Sequence, residues 1–567
     1  MKQVAIIGGG PGGATLGTLL RKYRPETQVV ILERERFPRE HVGESQLPII
    51  GGVLHEMGVW DKVEAERFPI KIGATYRWGK SDDLWDFEFL AGESFRPAKR
   101  PGKYTGQRRK TAFQVERSRY DQVLLDHAEA MGCIVRQETA VRSVERDGDR
   151  VTGLILESGE RVEADAYVDA SGASAILRRA MEVEVDQPTS LQNVAFWSYW
   201  NDIEWAVTIG DEATRVNVMS LGYGWIWFIP IAKTRASVGL VVPARCYKKS
   251  GKRPEDLYHE ALQSEPLIRS LLAQATNEGK VYGTKDWSFV SRRMTGENWY
   301  LVGEAAGFAD PILAAGLSLT HVGARELAYT LVAIAEGTHD ATWLKHWYET
   351  LQSTRIRQHI RFADYWYTAN AHFSDLKEFT RTIAIEAGLD LEANQAFQWL
   401  GTGGFANDDW RTARVATFTL GATKQLTKFM GEGEPEWVMN QYNLFQIDLK
   451  GARQVEVPIY HEGKIEARTC WERAGKRLPM VGAYRAIVAM LGSRIGVSEL
   501  KRRFAEHFPT PEHYTNAVEV FEAMLIDGWI AGKFVESKPT WGISTPKESD
   551  VLHFNRELAA AGPEETL

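Results

Sequence analysis

The sequence predicts a mixed α/β (α+β) protein that has a Rossmann-type nucleotide-binding domain, a second, antiparallel sheet and a mainly helical C-terminal domain. This prediction depends on three observations. An apolar run meets a glycine-rich turn at residues 4–13, aromatic and β-branched runs recur between about 190 and 245, and helical periodicity prevails after about residue 330.

The first element is a strand, a glycine turn and a helix in the stretch KQVAIIGGGPGGATLGTLLRKY. The glycines fit the pattern G-x-G-x-x-G, which allows a tight turn and close approach of a pyrophosphate to the helix N-terminus. The next strand, QVVILERE, ends in an acidic residue about 20 positions after the motif, where a carboxylate can accept hydrogen bonds from a ribose. A glycine turn that binds nothing is the alternative. The residues predicted to contact the nucleotide here are Gly8, Gly10, Pro11, Gly12, Gly13 and Glu33.

The following elements extend this domain and add the second sheet. The stretch RYDQVLLDHAEAMGCIVR predicts a helix followed by a strand, and residues 141–174 predict a β-meander that ends at Asp169 and Gly172. Segments at about 70–115 and 185–285 supply the second sheet, because runs such as VAFWSYW and ASVGLVVP are rich in aromatic and β-branched residues. A strand, a glycine-rich turn and a long helix follow. We assign residues 1–375 to one module.

The C-terminal segment, residues 376–567, is the least informative. Its pattern predicts helices followed by a short strand, an order similar to that of a winged helix. Lys501, Arg502 and Arg503 form a basic patch, which on an amphipathic helix is usually a solvated face.

Composition argues against several kinds of partner. The 567 residues include 68 basic and 75 acidic side chains, and the net charge of −7 gives no basic field to attract nucleic acid or anionic lipid. The apolar runs are too short to span a bilayer. Cys133, Cys246 and Cys470 lack the spacing of a disulfide framework or a metal site. We expect a soluble, cytoplasmic protein with no nucleic-acid or membrane partner.

The order of the glycine motif, the Asp169 segment and the segment GEAAGFADP resembles the flavoprotein monooxygenase superfamily, and within it the flavin-dependent halogenases. The resemblance covers residues 1 to about 375 and includes FPREHVGESQLP, PIKIGATYRWG and the W-x-W-x-I-P of GWIWFIP. It implies that the nucleotide is FAD, that a separate flavin reductase supplies FADH2, and that O2 and chloride or bromide are consumed. The further FAD contacts that it implies are Arg39, Arg117, Asp169, Glu304, Asp310 and Gly316.

Trp225 and Trp227 lie two positions apart, so both rings point to the same side of an extended strand. Most such pairs are core aromatics. The resemblance instead implies that these rings wall a substrate tunnel beside the flavin and obstruct monooxygenase-type transfer of oxygen.

Lys71 matches the lysine that is essential in halogenases. A lone lysine is usually a solvated surface residue, but here the resemblance implies a role in carrying hypohalous acid to the substrate. An ammonium could hydrogen-bond the acid or a neutral amine could form a haloamine, and burial would lower the lysine pKa toward the latter. Glu44 lies in the loop that the family places by the flavin; capping a turn is its alternative role.

The segment GFADPILAAG departs from the F-x-D-P-x-x-S-x-G pattern of many halogenases, because Ala314 replaces the serine. The resemblance implies that backbone N–H groups of Ala315 and Gly316 hold the halide. Leu313 occupies the position of the catalytic glutamate of tryptophan-specific halogenases, so the expected substrate is a phenol, a pyrrole or an activated acyl group, either free or bound to a carrier protein. Glu304 replaces the usual aspartate near the flavin.

The leading hypothesis is therefore a two-component enzyme that installs a halogen on an electron-rich carbon in natural-product biosynthesis, with residues 376–567 covering the substrate tunnel. A flavin-dependent aromatic hydroxylase or reductase of the same fold is the alternative. A non-enzymatic flavin sensor with a DNA-binding tail is a third hypothesis.

Overall fold

The computed structural model describes residues 1–210, 212–386, 414–415, 418–429 and 436–556. The chain forms two compact units, one with the ranges Met1–Ile383, Tyr460–Ile465 and His553–Leu567, the other with Ala384–Ile459 and Glu466–Leu552. Within the described ranges, every helix is too short or too polar to cross a membrane.

The described helices are distributed over the whole chain. Those that precede residue 387 are Pro11–Tyr23, Ile49–Met57, Trp60–Ala65, Arg117–Ala130, Ile176–Ala180, Ala244–Ser250, Pro254–Ser264, Pro266–Leu271, Gly316–Glu336, Ala341–Thr368 and Lys377–Glu386. Those that follow are Leu420–Phe429, Gly482–Met490, Val497–His507 and Pro511–Ile526.

A parallel sheet forms the centre of the nucleotide-binding domain, which confirms the predicted Rossmann-type arrangement. Its strands follow the order Trp299–Leu301, Ala166–Asp169, Gln3–Ile7, Gln28–Leu32, Ile134–Arg136. The predicted meander is wrong in its last strand. Val141–Asp147, Arg150–Leu156 and Arg161–Val162 do form a separate antiparallel sheet, but Ala166–Asp169 joins the parallel sheet beside Gln3–Ile7. A buried apolar strand pattern does not specify its pairing partner.

The second sheet is larger and mostly antiparallel, as predicted. Its central strands follow the order Gln192–Asn201, Arg235–Pro243, Gly224–Pro230, Ala213–Leu221, Ile70–Arg77, Trp85–Glu88. Only the pair formed by Ala213–Leu221 and Ile70–Arg77 is parallel among these. Thr276–Asn277 and Tyr282–Trp287 pair with Gln192–Asn201, and Ala112–Phe113 pairs with Ile70–Arg77.

The two faces of this sheet have different neighbours. Ile226 and Phe228 belong to a core cluster that includes side chains of the helix Pro254–Ser264. The alternate residues Trp225 and Trp227 therefore lie on the opposite face. There Trp225 Nε1 donates to the hydroxyl of Tyr367, a residue of the helix Ala341–Thr368, at 2.7 Å.

The second unit has a core of its own. The strand Leu444–Ile447 pairs with Ile495–Gly496 and Ile530–Lys533, and the helices Gly482–Met490, Val497–His507 and Pro511–Ile526 contribute side chains to that core. In the predicted basic patch, Arg502 and Arg503 form ion pairs with Glu499, and Arg502 also pairs with Glu506, all on the same helix. These two charges are compensated locally.

The other described strands are short or belong to small sheets. They are Val185–Asp186, Phe289–Ser291, Gly307–Phe308, Arg414–Val415, Phe418–Thr419, Arg453–His461, Lys464–Arg473, Lys476–Pro479 and Leu552–Phe554.

Gly239 has no side chain, and the Trp227 ring occupies the space where one would lie. A substitution at this position should therefore lower stability. A Cβ atom at position 239 would lie 2.1 Å from Trp227 Cζ2, so Gly239→Ala must displace the ring. We expect a loss of about 1–3 kcal/mol in the free energy of unfolding, measured by urea denaturation. Gly492→Ala is the control, because its nearest neighbour would be 3.6 Å away. Equal stability of the two variants would contradict this packing.

Candidate active site

The glycine motif forms the predicted turn between strand and helix. Gly8 has a φ of +106°, and its N–H donates to the carbonyl of Leu32 at 2.8 Å. A Cβ atom at Gly13 would lie 2.0 Å from the carbonyl oxygen of Gly8. Both positions therefore require glycine for the turn to close.

Glu33 directly follows the parallel strand Gln28–Leu32 and is 5% exposed. Its Oε2 accepts from the N–H of Gly9 at 2.7 Å, and its Oε1 accepts from the N–H of Glu35 at 2.8 Å. The carboxylate thus braces the glycine turn. Each oxygen retains a further lone pair for a ligand hydroxyl.

Arg39 and Arg117 are joined by Asp121, which the sequence analysis missed. Arg117 donates to both carboxylate oxygens of Asp121, at 2.8 and 2.9 Å, and Arg39 donates to Asp121 Oδ2 at 3.2 Å. Burial would raise the pKa of Asp121, but the Arg117 guanidinium outweighs it and holds that pKa below its ordinary value. Asp121 therefore stays ionised and fixes both guanidinium groups.

These features fit a dinucleotide such as FAD. The helix Pro11–Tyr23 carries no acidic residue in its first turn, and its N-cap is Gly10, which has no side chain to cap the free N–H groups. The guanidinium of Arg39 would lie 3.4 Å from a Cβ atom at Gly10. A helix N-terminus beside a cation favours a pyrophosphate.

Asp169 and Glu304 both lie beside the loop that contains Gly172. Asp169 is fully buried and accepts from Ser171 Oγ at 2.6 Å and the N–H of Leu177 at 2.7 Å, so its hydrogen bonds stay within its own loop and helix. Glu304 Oε2 would lie 3.8 Å from a Cβ atom at Gly172, in the same loop. Burial raises the pKa of Glu304, and the positive charge of Arg117 opposes that shift.

Lys71 is buried, with 3% of its surface exposed. Its Nζ donates to Ser45 Oγ at 2.8 Å and to the carbonyl of Gln46 at 3.0 Å, both in the motif GESQLP, and lies 5.4 Å from the centre of the Phe89 ring. Burial lowers the pKa of Lys71 to about 7. The structure thus brings Lys71 to the loop that contains Glu44.

Ser237 lies between Trp227 and Glu44. Trp227 Nε1 donates to Ser237 Oγ at 3.1 Å, and the Ser237 side chain lies beside the carboxyl of Glu44. Tyr199 donates to Glu44 Oε1 at 3.3 Å. Burial raises the pKa of Glu44.

Trp225 is connected to the other predicted acid, Asp310. The Tyr367 hydroxyl accepts from Trp225 Nε1 at 2.7 Å and donates to Asp310 Oδ1 at 3.4 Å. Asn193 donates to Asp310 Oδ2 at 3.2 Å and to the Tyr367 hydroxyl at 3.1 Å. Burial raises the pKa of Asp310 to about 7. The centres of the two tryptophan rings are 6.0 Å apart.

The register of the sheet sets the position of Lys71 relative to the tryptophans. Lys71 pairs with Thr214, Tyr76 pairs with Val218, and Val218 pairs with Trp227. A bulge directly after Thr214 inserts one residue into the strand of Lys71, so Lys71 and Tyr76 lie on the same face as Trp227. Along the strands, Lys71 lies roughly 13 Å from the level of Trp227. They share a face but are not adjacent.

The predicted halide turn precedes the helix Gly316–Glu336. Ala314 has a φ of +52°, Ala315 is the buried N-cap, and Gly316 is exposed with open space where a Cβ atom would lie. Ser318, in the first helical turn, is 7% exposed, and its hydroxyl has no partner among the described residues. This turn offers backbone N–H groups, and Ser318 adds a hydroxyl to it.

Comparison with known proteins agrees with this geometry. The model of the family described as FAD binding domain matches residues 1–363. The chain is 30% identical over 390 residues to the tryptophan 2-halogenase of Chondromyces crocatus, covering 65% of this chain and 68% of the relative. It is also 30% identical over 387 residues to the 1H-pyrrole-2-carbonyl peptidyl-carrier protein chlorinase of Pseudomonas fluorescens, covering 66% and 85% respectively.

Two solved structures extend this similarity. The flavin-dependent halogenase CmlS matches with a TM-score of 0.72 and 24% identity over 97% of this chain and 100% of its own, and shows the same fold. The myxobacterial chondrochloren halogenase CndH matches with a TM-score of 0.58 and 28% identity over 69% of this chain and 92% of its own. The fold and the glycine-motif site define an FAD-binding flavoprotein. Within that class, the chain belongs to the flavin-dependent halogenases and is an enzyme.

The hydrogen bonds of Glu33 can be tested through FAD binding. We expect Glu33→Ala to weaken FAD binding by about 1–3 kcal/mol, because it removes a charged hydrogen-bond acceptor for the ribose together with the brace on Gly9. FAD affinity would be measured by fluorescence titration of the apoprotein. Glu35→Ala is the control, since Glu35 is exposed two positions further on. Unchanged FAD affinity in Glu33→Ala would contradict the assignment.

Proposed function

We propose that the enzyme uses hypohalous acid, delivered by Lys71, to halogenate an electron-rich carbon of a natural-product precursor. The observation that carries this proposal is a buried amine, 3% exposed, that donates to Ser45 Oγ and the Gln46 carbonyl. Its burial lowers its pKa to about 7. When reduced FAD is bound, it supplies the electrons with which O2 and halide yield hypohalous acid. Gly8 to Gly13, Glu33 and Arg39 would hold that cofactor.

The surroundings of Lys71 suit delivery of an electrophile. Near neutral pH the amine is partly unprotonated, and its lone pair can accept a halogen, whereas an exposed lysine would be protonated and hydrated. Ser45 Oγ and the Gln46 carbonyl accept hydrogen bonds from Nζ and fix its position. The buried site also limits escape of the reagent to water.

We infer that chloride or bromide binds at the N-terminus of the helix Gly316–Glu336. The N–H groups of Ala315 and Gly316 would donate to the halide, and the dipole of the 21-residue helix favours an anion there. The unpartnered hydroxyl of Ser318 supports this inference, because it can supply the donor that Ala314 lacks.

We propose a phenol, a pyrrole or an activated acyl group as the substrate. The position that carries a catalytic glutamate in tryptophan-specific halogenases is Leu313, which is 8% exposed and cannot polarise an indole N–H. The name of the Pseudomonas fluorescens relative specifies a pyrrole carbonyl group on a peptidyl-carrier protein. This supports a carrier-bound substrate as well as a free one.

A separate flavin reductase is the proposed electron source, and this can be tested directly. We expect NADPH alone to leave the visible absorbance of bound FAD unchanged, with or without a phenol or pyrrole probe. Addition of a reductase, O2 and bromide should then yield a product with the bromine isotope pattern in mass spectra. Rapid bleaching of the flavin by NADPH without a reductase would favour the aromatic hydroxylase instead.

Lys71 is tested by substitution. We expect Lys71→Ala to bind FAD and consume O2 at normal rates but to lose halogenated product by several orders of magnitude, because a positioned carrier contributes through orientation. Lys71→Arg should fail too, since a guanidinium is always charged and has a different shape. Lys103→Ala, at an exposed lysine, is the control. Full halogenation by Lys71→Ala would overturn the assignment, and rescue by arginine would indicate a purely electrostatic role.

The lowered pKa of Lys71 predicts a pH dependence. Below about pH 7 the amine is protonated and above it the amine is neutral, so the fraction able to accept a halogen rises with pH. We expect product per O2 consumed to rise with pH and to reach half its maximum near pH 7. The measurement is product yield between pH 5.5 and 9, roughly the range that brackets this transition. A yield that falls with pH would favour the ammonium.

A further inference from the structure

Gln114 is a buried amide that the halogenase assignment does not use. Its side chain is fully buried, and neither Oε1 nor Nε2 has a hydrogen-bond partner among the described residues. An amide buried in this way lowers stability, because its hydrogen bonds with water are lost and not replaced. A ligand that bonds to the amide would remove this cost.

The backbone register places Gln114 beside Ser45. The two residues form an antiparallel bridge, flanked by hydrogen bonds from Gln46 N–H to the Phe113 carbonyl at 3.1 Å and from Val115 N–H to the Glu44 carbonyl at 2.8 Å. Ser45 and Gln114 thus form a non-hydrogen-bonded antiparallel pair. In such a pair the two side chains are closest to each other and lie on the same side of the strands.

Lys71 reaches the same position from its own strand. Ser45 Oγ accepts from Lys71 Nζ at 2.8 Å. Lys71 also pairs with Ala112, and Gln114 lies two positions beyond Ala112, so its side chain is on the side of Lys71. Two independent registers therefore bring the unpartnered amide of Gln114 to the Ser45 and Lys71 pair.

The chemistry of the amide suits hypohalous acid. A carboxamide offers an acceptor oxygen and two N–H donors, and hypohalous acid has one O–H donor and an acceptor oxygen. We propose that Gln114 is a positioning residue that hydrogen-bonds hypohalous acid beside Lys71 and delays its escape to bulk water. This inference rests on the proposed function of Lys71 and adds a second group to the site.

Asn217 provides a matched control. It is 1% exposed, and both of its amide atoms are also without a partner among the described residues. It lies on the neighbouring strand Ala213–Leu221, next to Val218, whose side chain is on the Lys71 face. Asn217 is therefore on the opposite face of the same sheet.

The test compares Gln114→Leu, Asn217→Leu and Lys71→Leu in the full chain. Leucine removes the amide and does not react readily with hypohalous acid. Loaded with reduced FAD, each protein receives O2 and bromide without organic substrate, and monochlorodimedone in the bulk solution records the time course of hypobromous acid release. Thermal midpoints are measured on the same samples before turnover.

We expect Gln114→Leu and Asn217→Leu to melt at or above the wild-type temperature, because each loses an unpaired buried amide. Release of hypobromous acid should be at least about tenfold faster in Gln114→Leu than in wild type or Asn217→Leu, because a positioning contact is lost. Gln114→Glu should raise the pH midpoint of product yield with a phenol or pyrrole probe, since a carboxylate beside Lys71 stabilises the ammonium.

Several outcomes would overturn the inference. Release by Gln114→Leu at the rate of Asn217→Leu would show that the amide does not retain the acid. A thermal midpoint well below that of Asn217→Leu would show that the amide has an internal structural role. If Lys71→Leu releases the acid no faster than wild type, the proposed function of Lys71 fails as well. If Lys71→Leu releases the acid rapidly and Gln114→Leu does not, only the proposed role of Gln114 fails.

Discussion

The burial of the Lys71 amine is the constraint around which the candidate site is arranged. Desolvation lowers the pKa of this lysine to about 7. A buried amine still needs acceptors, and Ser45 and Gln46 supply them from the loop after the second parallel strand. The bulge in the strand Ile70–Arg77 sets the face on which the amine lies. Loop, bulge and strand together hold one reactive group out of water, as delivery of an electrophile requires.

The same face carries the tryptophan pair, and hydrogen bonds fix both rings. Trp227 donates to Ser237, which lies beside Glu44, and Trp225 is connected through Tyr367 to Asp310. Burial raises the pKa of both carboxyls. The motif W-x-W-x-I-P is thus more than an apolar wall, because each indole N–H donates to a hydroxyl that lies beside a buried acid.

The sequence predicts those parts of the protein that local patterns determine. The glycine turn and the order of strand, helix and strand around it follow from motifs within a few residues, whereas the candidate roles of Lys71 and Trp225 are implied by the resemblance to halogenases. Asp121, Ser237 and Tyr367 were not predicted. Asp121 lies only four positions from Arg117, but its contact with Arg39, 82 positions away, follows only from the fold. Tyr367 lies 142 positions from Trp225, and Ser237 meets Trp227 only across two paired strands. The predicted pairing of Ala166–Asp169 was wrong, because an apolar strand pattern does not specify which strand it pairs with.

The central claim is that Lys71 is a neutral amine for much of the physiological pH range. A direct measurement is an NMR titration of the lysine side-chain signals in protein labelled with 13C at Cε, with Lys71→Leu used to assign the Lys71 signal. The burial of Lys71 predicts a midpoint near pH 7. A midpoint near 10.5, the ordinary value for lysine, would contradict the account, because the amine would then be charged like a solvated one.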